Sequence, residues 1–259
     1  MIKTCMLQAL TRQVSSTFAS CELTYLEREP IDVERAVQQH RAYETALAEL
    51  GARVFSLPSD DAYPDGVFVE DPAIVLDEVA VIARPGALSR RGEAESIARA
   101  LEPFRELRRI TAPATLEGGD VIRVGKALYV GLSKRTNREG IGQLQETLSL
   151  FGYRVIAVDV SGCLHLKSGA CWAGGETILA NRKWIDTSVF EGLHLLDVAE
   201  PAAADVLPIG GSVLIPASFP RTAEILASAG FRVRPMDVSE LRKAEAGVTC
   251  MSLLFETQG

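Results

Sequence analysis

Apolar residues recur at helical spacing from Val33 through Ala36, Val37, His40, Tyr43 and Leu47 to Leu50, which predicts an amphipathic helix between Asp32 and Gly51. Asp32 can cap its start and Gly51 can close it in a left-handed conformation. Arg53-Val54-Phe55-Ser56-Leu57 then reads as a strand. The junction recurs. Gly51-Ala52-Arg53-Val54 is echoed by Gly152-Tyr153-Arg154-Val155 and Gly230-Phe231-Arg232-Val233, and more loosely by Gly192-Leu193-His194-Leu195. A copy without glycine lies near Phe104-Arg105-Glu106-Leu107. Successive junctions lie roughly 40 to 50 residues apart, a repeat period. Five strand-and-helix units point to a closed pseudo-symmetric α/β ring rather than an open doubly wound sheet.

Further strands are predicted at Val67–Glu70, Ala73–Leu76, Val79–Arg84, Asp120–Val124, Ala127–Val130, Thr177–Ala180 and Ser212–Ile215. Helices are predicted at Glu93–Phe104, Asn137–Phe151 and Arg221–Ala229. No Pro/Ser-rich linker divides the chain, so one domain over residues 1–259 is expected.

Composition changes this picture little: 47% hydrophobic and 24% charged residues suit a globular protein. No apolar run reaches the roughly 18 residues of a membrane span. Met1-Ile2-Lys3-Thr4-Cys5-Met6, followed by Gln8, Thr11, Arg12 and Gln13, lacks the core of a secretory signal, so a cytoplasmic location is expected. The net charge of −7 argues against a nucleic-acid partner and mildly favours a cationic ligand. Five scattered cysteines without a Cys-x-x-Cys pair argue against disulfides and zinc knuckles.

Chemistry concentrates in a few signatures. Cys250 lies in Gly247-Val248-Thr249-Cys250-Met251-Ser252, in a strand or loop, and would need a nearby cation or cationic substrate to ionise. Cys5, Cys163 and Cys171 read as small core residues. His40 falls on the apolar side of the first helix, and His194 reads as part of a buried strand. His165, between Gly162 and Lys167-Ser168-Gly169, suits a strand end facing a cleft. Cys163 and His165 lack a third ligand for a metal. Glu70-Asp71 end an apolar run before Pro72, and strand alternation would send only one into a given site. Glu117-Gly118-Gly119-Asp120 pairs acids with residues that permit close backbone approach. It is no phosphate loop, because no Gly-Lys-Ser/Thr follows. The cationic turns Arg84–Arg91 and Lys134-Arg135 could hold a carboxylate opposite these acids.

Together, Pro64–Asp71, Arg84–Arg91, Leu116–Asp120, Gly131–Asn137, Leu164–Lys167 and Val248-Thr249-Cys250 resemble, in order, the dimethylarginine dimethylaminohydrolase family of the guanidine-modifying (pentein) superfamily. The resemblance runs from about residue 8 to residue 255. It implies a five-bladed α/β propeller and hydrolysis of methylated arginines to citrulline. By motif, Cys250 would be the nucleophile, His165 the general acid/base and Glu117 its orienting partner. Asp71, with Glu70 nearby, would bind the guanidinium. Arg90 and Arg135 would hold the substrate carboxylate with Asp65 close by, and Phe18 falls at the position of a lid residue. No cofactor and no metal is implied. The expected partner is a small cationic amino acid, with neither nucleic acid nor membrane, and a homodimer is compatible with the resemblance.

The chain departs from the family pattern at Glu200–Val206, where Ala-Ala-Asn is usual, in the glycines of Pro208–Gly211, and at Thr249, which replaces a serine. These departures leave substrate preference open. The competing readings are another pentein enzyme, such as an arginine deiminase or amidinotransferase, and a non-catalytic binding protein of the same fold.

Overall fold

A computed structural model of the chain describes residues 5–258. Residues 1–4, part of the stretch read above for a secretory signal, lie outside the described residues. The strands are β1 (Cys5–Arg12), β2 (Arg53–Leu57), β3 (Ala73–Val75), β4 (Val79–Ile82), β5 (Glu106–Arg109), β6 (Val121–Val124), β7 (Ala127–Leu132) and β8 (Arg154–Asp159). They continue as β9 (Ala170–Gly174), β10 (Thr177–Ala180), β11 (His194–Asp197), β12 (Leu207–Ile209), β13 (Ser212–Pro216), β14 (Arg232–Met236) and β15 (Leu253–Gln258). The helices are α1 (Val33–Glu49), α2 (Glu93–Leu101), α3 (Arg138–Ser149), α4 (Leu166–Gly169), α5 (Pro220–Ser228) and α6 (Ser239–Arg242).

The strands form five three-stranded sheets of one design. In β3-β4-β5, β6-β7-β8, β9-β10-β11 and β12-β13-β14 an antiparallel hairpin is followed by a crossover to a parallel third strand. In the remaining sheet β15 takes the place of the first hairpin strand, running antiparallel to β1, with β2 parallel on the other side. The crossover is α1, α2, α3 or α5 in four sheets, and in β9-β10-β11 it shrinks to the 3-10 turn Thr187–Phe190. The five predicted junctions all fall at the entry to a third strand. Gly51, Gly152, Gly192 and Gly230 take positive φ there, which L-side chains rarely adopt.

Why the sheets form a ring is visible in the middle strands. Val79 and Val81 of β4 pack with β6 and β7, whereas Ala80 and Ile82 pack with Leu10, Leu253 and Phe255. Leu128 and Val130 of β7 likewise face one neighbour, and Tyr129 faces the other. Ile178 and Leu179 of β10 divide in the same way, as do Leu214 and Ile215 of β13. A strand buried on both faces must be apolar at every position, so these segments lack polar alternation. Five hydrophobic clusters result, each joining two adjacent sheets, and the last joins the fifth sheet back to the first. The five-bladed α/β propeller is thus present. Its innermost strands β3, β6, β9, β12 and β15 line a central cavity of about 600 Å³.

Local expectations fare unevenly. Asp32 caps α1 by accepting the Arg35 N–H, and Asn137 caps α3 by accepting that of Gly140. Val67–Glu70, read as a strand, is instead a run of buried turns. The Phe68 N–H bonds Asp65 O and the Glu70 N–H bonds Cys250 O, so hydrogen bonds to loops replace a sheet partner. His194, expected buried, is exposed on the outer strand of its sheet, and Cys5, expected in the core, is exposed beside Glu256.

Candidate active site

The turns at one end of the ring converge on a narrow cavity of about 20 Å³. Cys250, His165, Asp71, Asp65, Arg90 and Arg135 line it, together with Phe68, Glu22, Leu164 and Ala244–Ala246. Asp71, Glu117, His165 and Cys250 arrive from four different blade junctions, and the glycines among them mark close approach. A Cβ on Gly119 would lie 2.7 Å from His165 Nδ1 and 2.8 Å from an Asp71 oxygen, and one on Gly118 would lie 2.0 Å from Glu70 O.

His165 stands in extended conformation immediately before α4. Its Nε2 lies 2.6 Å from Glu117 Oε2 and 3.9 Å from Asp71 Oδ1. Burial alone would lower the imidazole, but Asp71 and the hydrogen bond to Glu117 outweigh it and push His165 up to about 9. Burial would raise Glu117, yet the His165 contact, helped by Arg90 and Arg135, brings it down to about 2. The pair is therefore imidazolium and carboxylate at neutral pH. Glu117 is fixed further by the Gly86 N–H at 3.0 Å and Arg135 Nη1 at 3.5 Å. Asp120 accepts the Leu166 N–H and the Ser133 hydroxyl, anchoring the residue after His165, and burial lifts it to about 6.

Asp71 accepts the Gly119 N–H at 3.0 Å and Arg90 Nη1 at 2.6 Å. Arg90 is buried, also gripping Glu93 at 3.0 and 2.8 Å and Phe68 O at 3.2 Å. Four of its five N–H groups are thereby engaged by the protein, so it braces Asp71 as much as it faces the cavity. Arg135 reaches Thr24 Oγ1 at 2.9 Å.

Cys250 is half-buried in a turn just before β15, and its Sγ accepts the Gly247 N–H at 3.3 Å. Burial, then Asp205, Glu70 and Asp71, hold the thiol well above its ordinary value. The Gly247 N–H opposes this shift only in part, so the thiol form is favoured.

Three expected residues are not among those lining this cavity. Glu117 acts on it through its hydrogen bond to His165. Glu70 turns away, pairing with Lys167 Nζ at 2.5 Å and the Thr249 hydroxyl at 2.8 Å on the side of the large central cavity. Phe18 is fully buried, edge-on to Phe68 at 5.8 Å between ring centroids, in the core joining the last and first blades. Of the neighbouring segment Glu22–Leu26, Glu22 lines the cavity. Glu245 accepts the N–H groups of Thr24, Tyr25 and Leu26, and Asp65 accepts that of Glu22 at 3.0 Å. Sequence reasoning did not find Glu245 or Asp205, because nothing local marks contacts between residues more than 40 positions apart; the φ of +60° at Glu245 appears only in the folded chain. Asp71, Glu117 and His165 place one atom each within 4.8 Å of one another and could in principle hold a metal. The 2.6 Å contact between Glu117 and His165 is a hydrogen bond, however, so the trio reads as a proton-holding unit.

Comparison with known proteins bears on this geometry. A family profile described as N,N dimethylarginine dimethylhydrolase, eukaryotic, matches residues 19–167. The N(G),N(G)-dimethylarginine dimethylaminohydrolase of Pseudomonas aeruginosa is 39% identical over 228 residues, covering 86% of this chain and 90% of that protein. The enzyme of the same name from Streptomyces coelicolor is 39% identical over 249 residues, covering 95% and 96%. The solved structure of a cysteine-to-serine variant of the Pseudomonas aeruginosa enzyme with citrulline superposes with a TM-score of 0.92 at 36% identity, covering 96% of this chain and all of that one.

Proposed function

The chain belongs to the dimethylarginine dimethylaminohydrolase family, and we propose that it hydrolyses asymmetric dimethylarginine and monomethylarginine to citrulline with release of dimethylamine or methylamine. The observation that carries this reading is the meeting of the Cys250 thiol, the His165–Glu117 ion pair and Asp71 around one narrow cavity.

Burial and the neighbouring acids disfavour ionisation of Cys250, and a cationic guanidinium between the thiol and Asp71 supplies the missing charge. The thiolate attacks the guanidinium carbon and gives a neutral tetrahedral adduct. His165, protonated at neutral pH, donates to the methylated nitrogen, and the amine departs from a covalent S-alkylthiouronium. Neutral His165 then takes a proton from water, which adds to the same carbon. Collapse releases citrulline and Cys250. Glu117 keeps the imidazole oriented and favours its cationic form. No oxyanion hole is required for the first attack, because the attacked group is cationic. Arg135 and the free N–H of Arg90 suit the substrate carboxylate, with Asp65 near that end. A reducing, cytoplasmic setting fits five cysteines that are all unpaired, and no helix among the described residues is long and apolar enough to cross a membrane.

Incubating the purified chain with asymmetric dimethylarginine, monomethylarginine and arginine, and measuring citrulline from each, tests the proposal. Turnover of both methylated substrates with loss in Cys250→Ser is expected. Turnover of arginine alone would refute it.

A further inference from the structure

Thr249, next to the nucleophile, carries one hydroxyl proton but bridges two buried carboxylates. Its Oγ1 lies 2.8 Å from Glu70 Oε2 and 2.9 Å from Asp205 Oδ2. A hydroxyl can donate to one of them only. The second contact needs a proton from the carboxyl itself; otherwise two acceptor oxygens would face each other at hydrogen-bond distance away from water. The remaining contacts decide which acid supplies it. Glu70 is ion-paired through its other oxygen to Lys167, which favours the carboxylate. Asp205 is held by uncharged donors, its other oxygen accepting the Thr249 N–H at 3.0 Å and the carboxyl also accepting the Val248 N–H.

We infer that Asp205 is a positioning residue that holds a proton at neutral pH, its Oδ2–H donating to Thr249, whose own hydroxyl donates to Glu70. This directed chain fixes the turn that carries Cys250. It is packed tightly, since a Cβ on Gly247 would fall 2.1 Å from the Asp205 carboxyl carbon. The groups acting on or facing Asp205 come from several elements: Lys167 of α4, Arg242 of α6, Tyr43 of α1, Cys171 of β9, and Glu70 and Cys250 from turns. Burial raises Asp205, and it raises Glu70 to about 7 with the Asp205 charge contributing, so a proton on Asp205 also relieves Glu70. Asp205 and Glu70 are also the two largest charge effects opposing the Cys250 thiolate, so neutral Asp205 makes the proposed nucleophile easier to ionise.

Asparagine is the neutral isostere of a protonated aspartic acid here, with its amide N–H aimed at Thr249 Oγ1 and its oxygen at the Thr249 N–H. The test compares the full chain with its Asp205→Asn, Asp205→Ala, Thr249→Ser and Thr249→Val variants. The readouts are infrared difference spectra at neutral pH, the pH dependence of Cys250 alkylation by iodoacetamide, and the rate with dimethylarginine. The chain minus Asp205→Asn spectrum is expected to contain the carbonyl stretch of a protonated carboxyl. Asp205→Asn is expected to shift the apparent thiol pKa by less than about 0.3, whereas removal of a true neighbouring anion would lower it by about one or more. Asp205→Asn and Thr249→Ser should lose no more than about threefold in kcat, and Asp205→Ala and Thr249→Val about tenfold or more. Absence of the carboxyl band, a large fall in thiol pKa, or Asp205→Asn behaving like Asp205→Ala would each overturn the inference. If Asp205→Ala does not fold, the asparagine spectrum and the Thr249 pair still decide it. The inference rests on the reading of Cys250 as nucleophile, but the infrared and alkylation readouts need no substrate, so its failure is distinguishable from failure of the substrate assignment.

Discussion

The small charged cavity and the large central cavity are lined by neighbouring residues of the same turns, yet their chemistry is opposite. Asp71, His165 and Cys250 face the first; Glu70, Lys167 and Thr249 face the second. On the first side the charges are held by directional contacts around a narrow space of about 20 Å³. On the second the ion pairs Glu70–Lys167 and Asp77–Arg123 sit among walls of Ile74, Leu76, Val121, Trp172 and Leu254. The difference teaches that the motifs do two tasks at once: one residue of each pair presents chemistry while its neighbour seals the floor below.

The sharpest way to break this contrast is on the charged side. His165→Gly is expected to lower kcat by about 10³-fold or more, measured as citrulline formation, because acid and base are lost together. Next comes Arg90→Ala. Its partners Asp71 and Glu93 would be left buried without their cation, so destabilisation of about 3–5 kcal/mol in urea unfolding is expected along with weaker substrate binding. A rise in KM at unchanged stability would show that Arg90 serves the substrate rather than the frame. Across the floor, Lys167→Met should cost less, about 1–3 kcal/mol, because Glu70, already raised to about 7, can take up a proton.

A pH titration of thermal stability compares the two sides at once. His165 at about 9, Glu70 at about 7 and Asp120 at about 6 all bind protons more tightly in the folded chain. Their contribution is full below the unfolded values and lost as pH rises through 6, 7 and 9. Glu117, lowered to about 2, acts oppositely, and its contribution disappears only as pH falls from the ordinary carboxylate range toward 2. Tm should therefore peak near pH ~4 and decline toward pH 9, and His165→Gln should flatten the upper part of that decline. The smallest effect is expected from Leu207→Ala in the wall of the large cavity. This half-buried residue already borders open space, so a loss of about 1 kcal/mol or less and unchanged citrulline formation are expected.

Much of the ring was legible because its repeat is written in local physics. A helix must stop, a left-handed residue reverses the chain, and a strand begins, as at Gly51, Gly152 and Gly230. The copy near Arg105 needed no glycine, and the one at Gly192 follows only a 3-10 turn, so both were faint. Val67–Glu70 misled because buried turns and buried strands share an apolar composition, and only the Cys250 carbonyl bonded to the Glu70 N–H tells them apart. In the site, Cys250, His165, Asp71, Asp65, Arg90 and Arg135 were singled out through motifs and line the small cavity, and the structure adds their contacts. Glu70 serves the floor, Arg90 braces Asp71, and Glu245 latches the Thr24–Leu26 segment. These are consequences of closure over more than 200 positions in the case of Glu245, and no window of sequence contains them.

The pairing of β15 with β1 has a temporal meaning. A ribosome delivers β1 about 240 residues before β15, and Cys250 lies only three positions before β15 begins. Until that strand is free to dock, the first blade lacks its inner strand, the large cavity lacks a wall, and the thiol has no cavity to enter. A partly synthesised chain, or one cut short before Leu253, thus has an open circle, which closes only when this strand docks on β1.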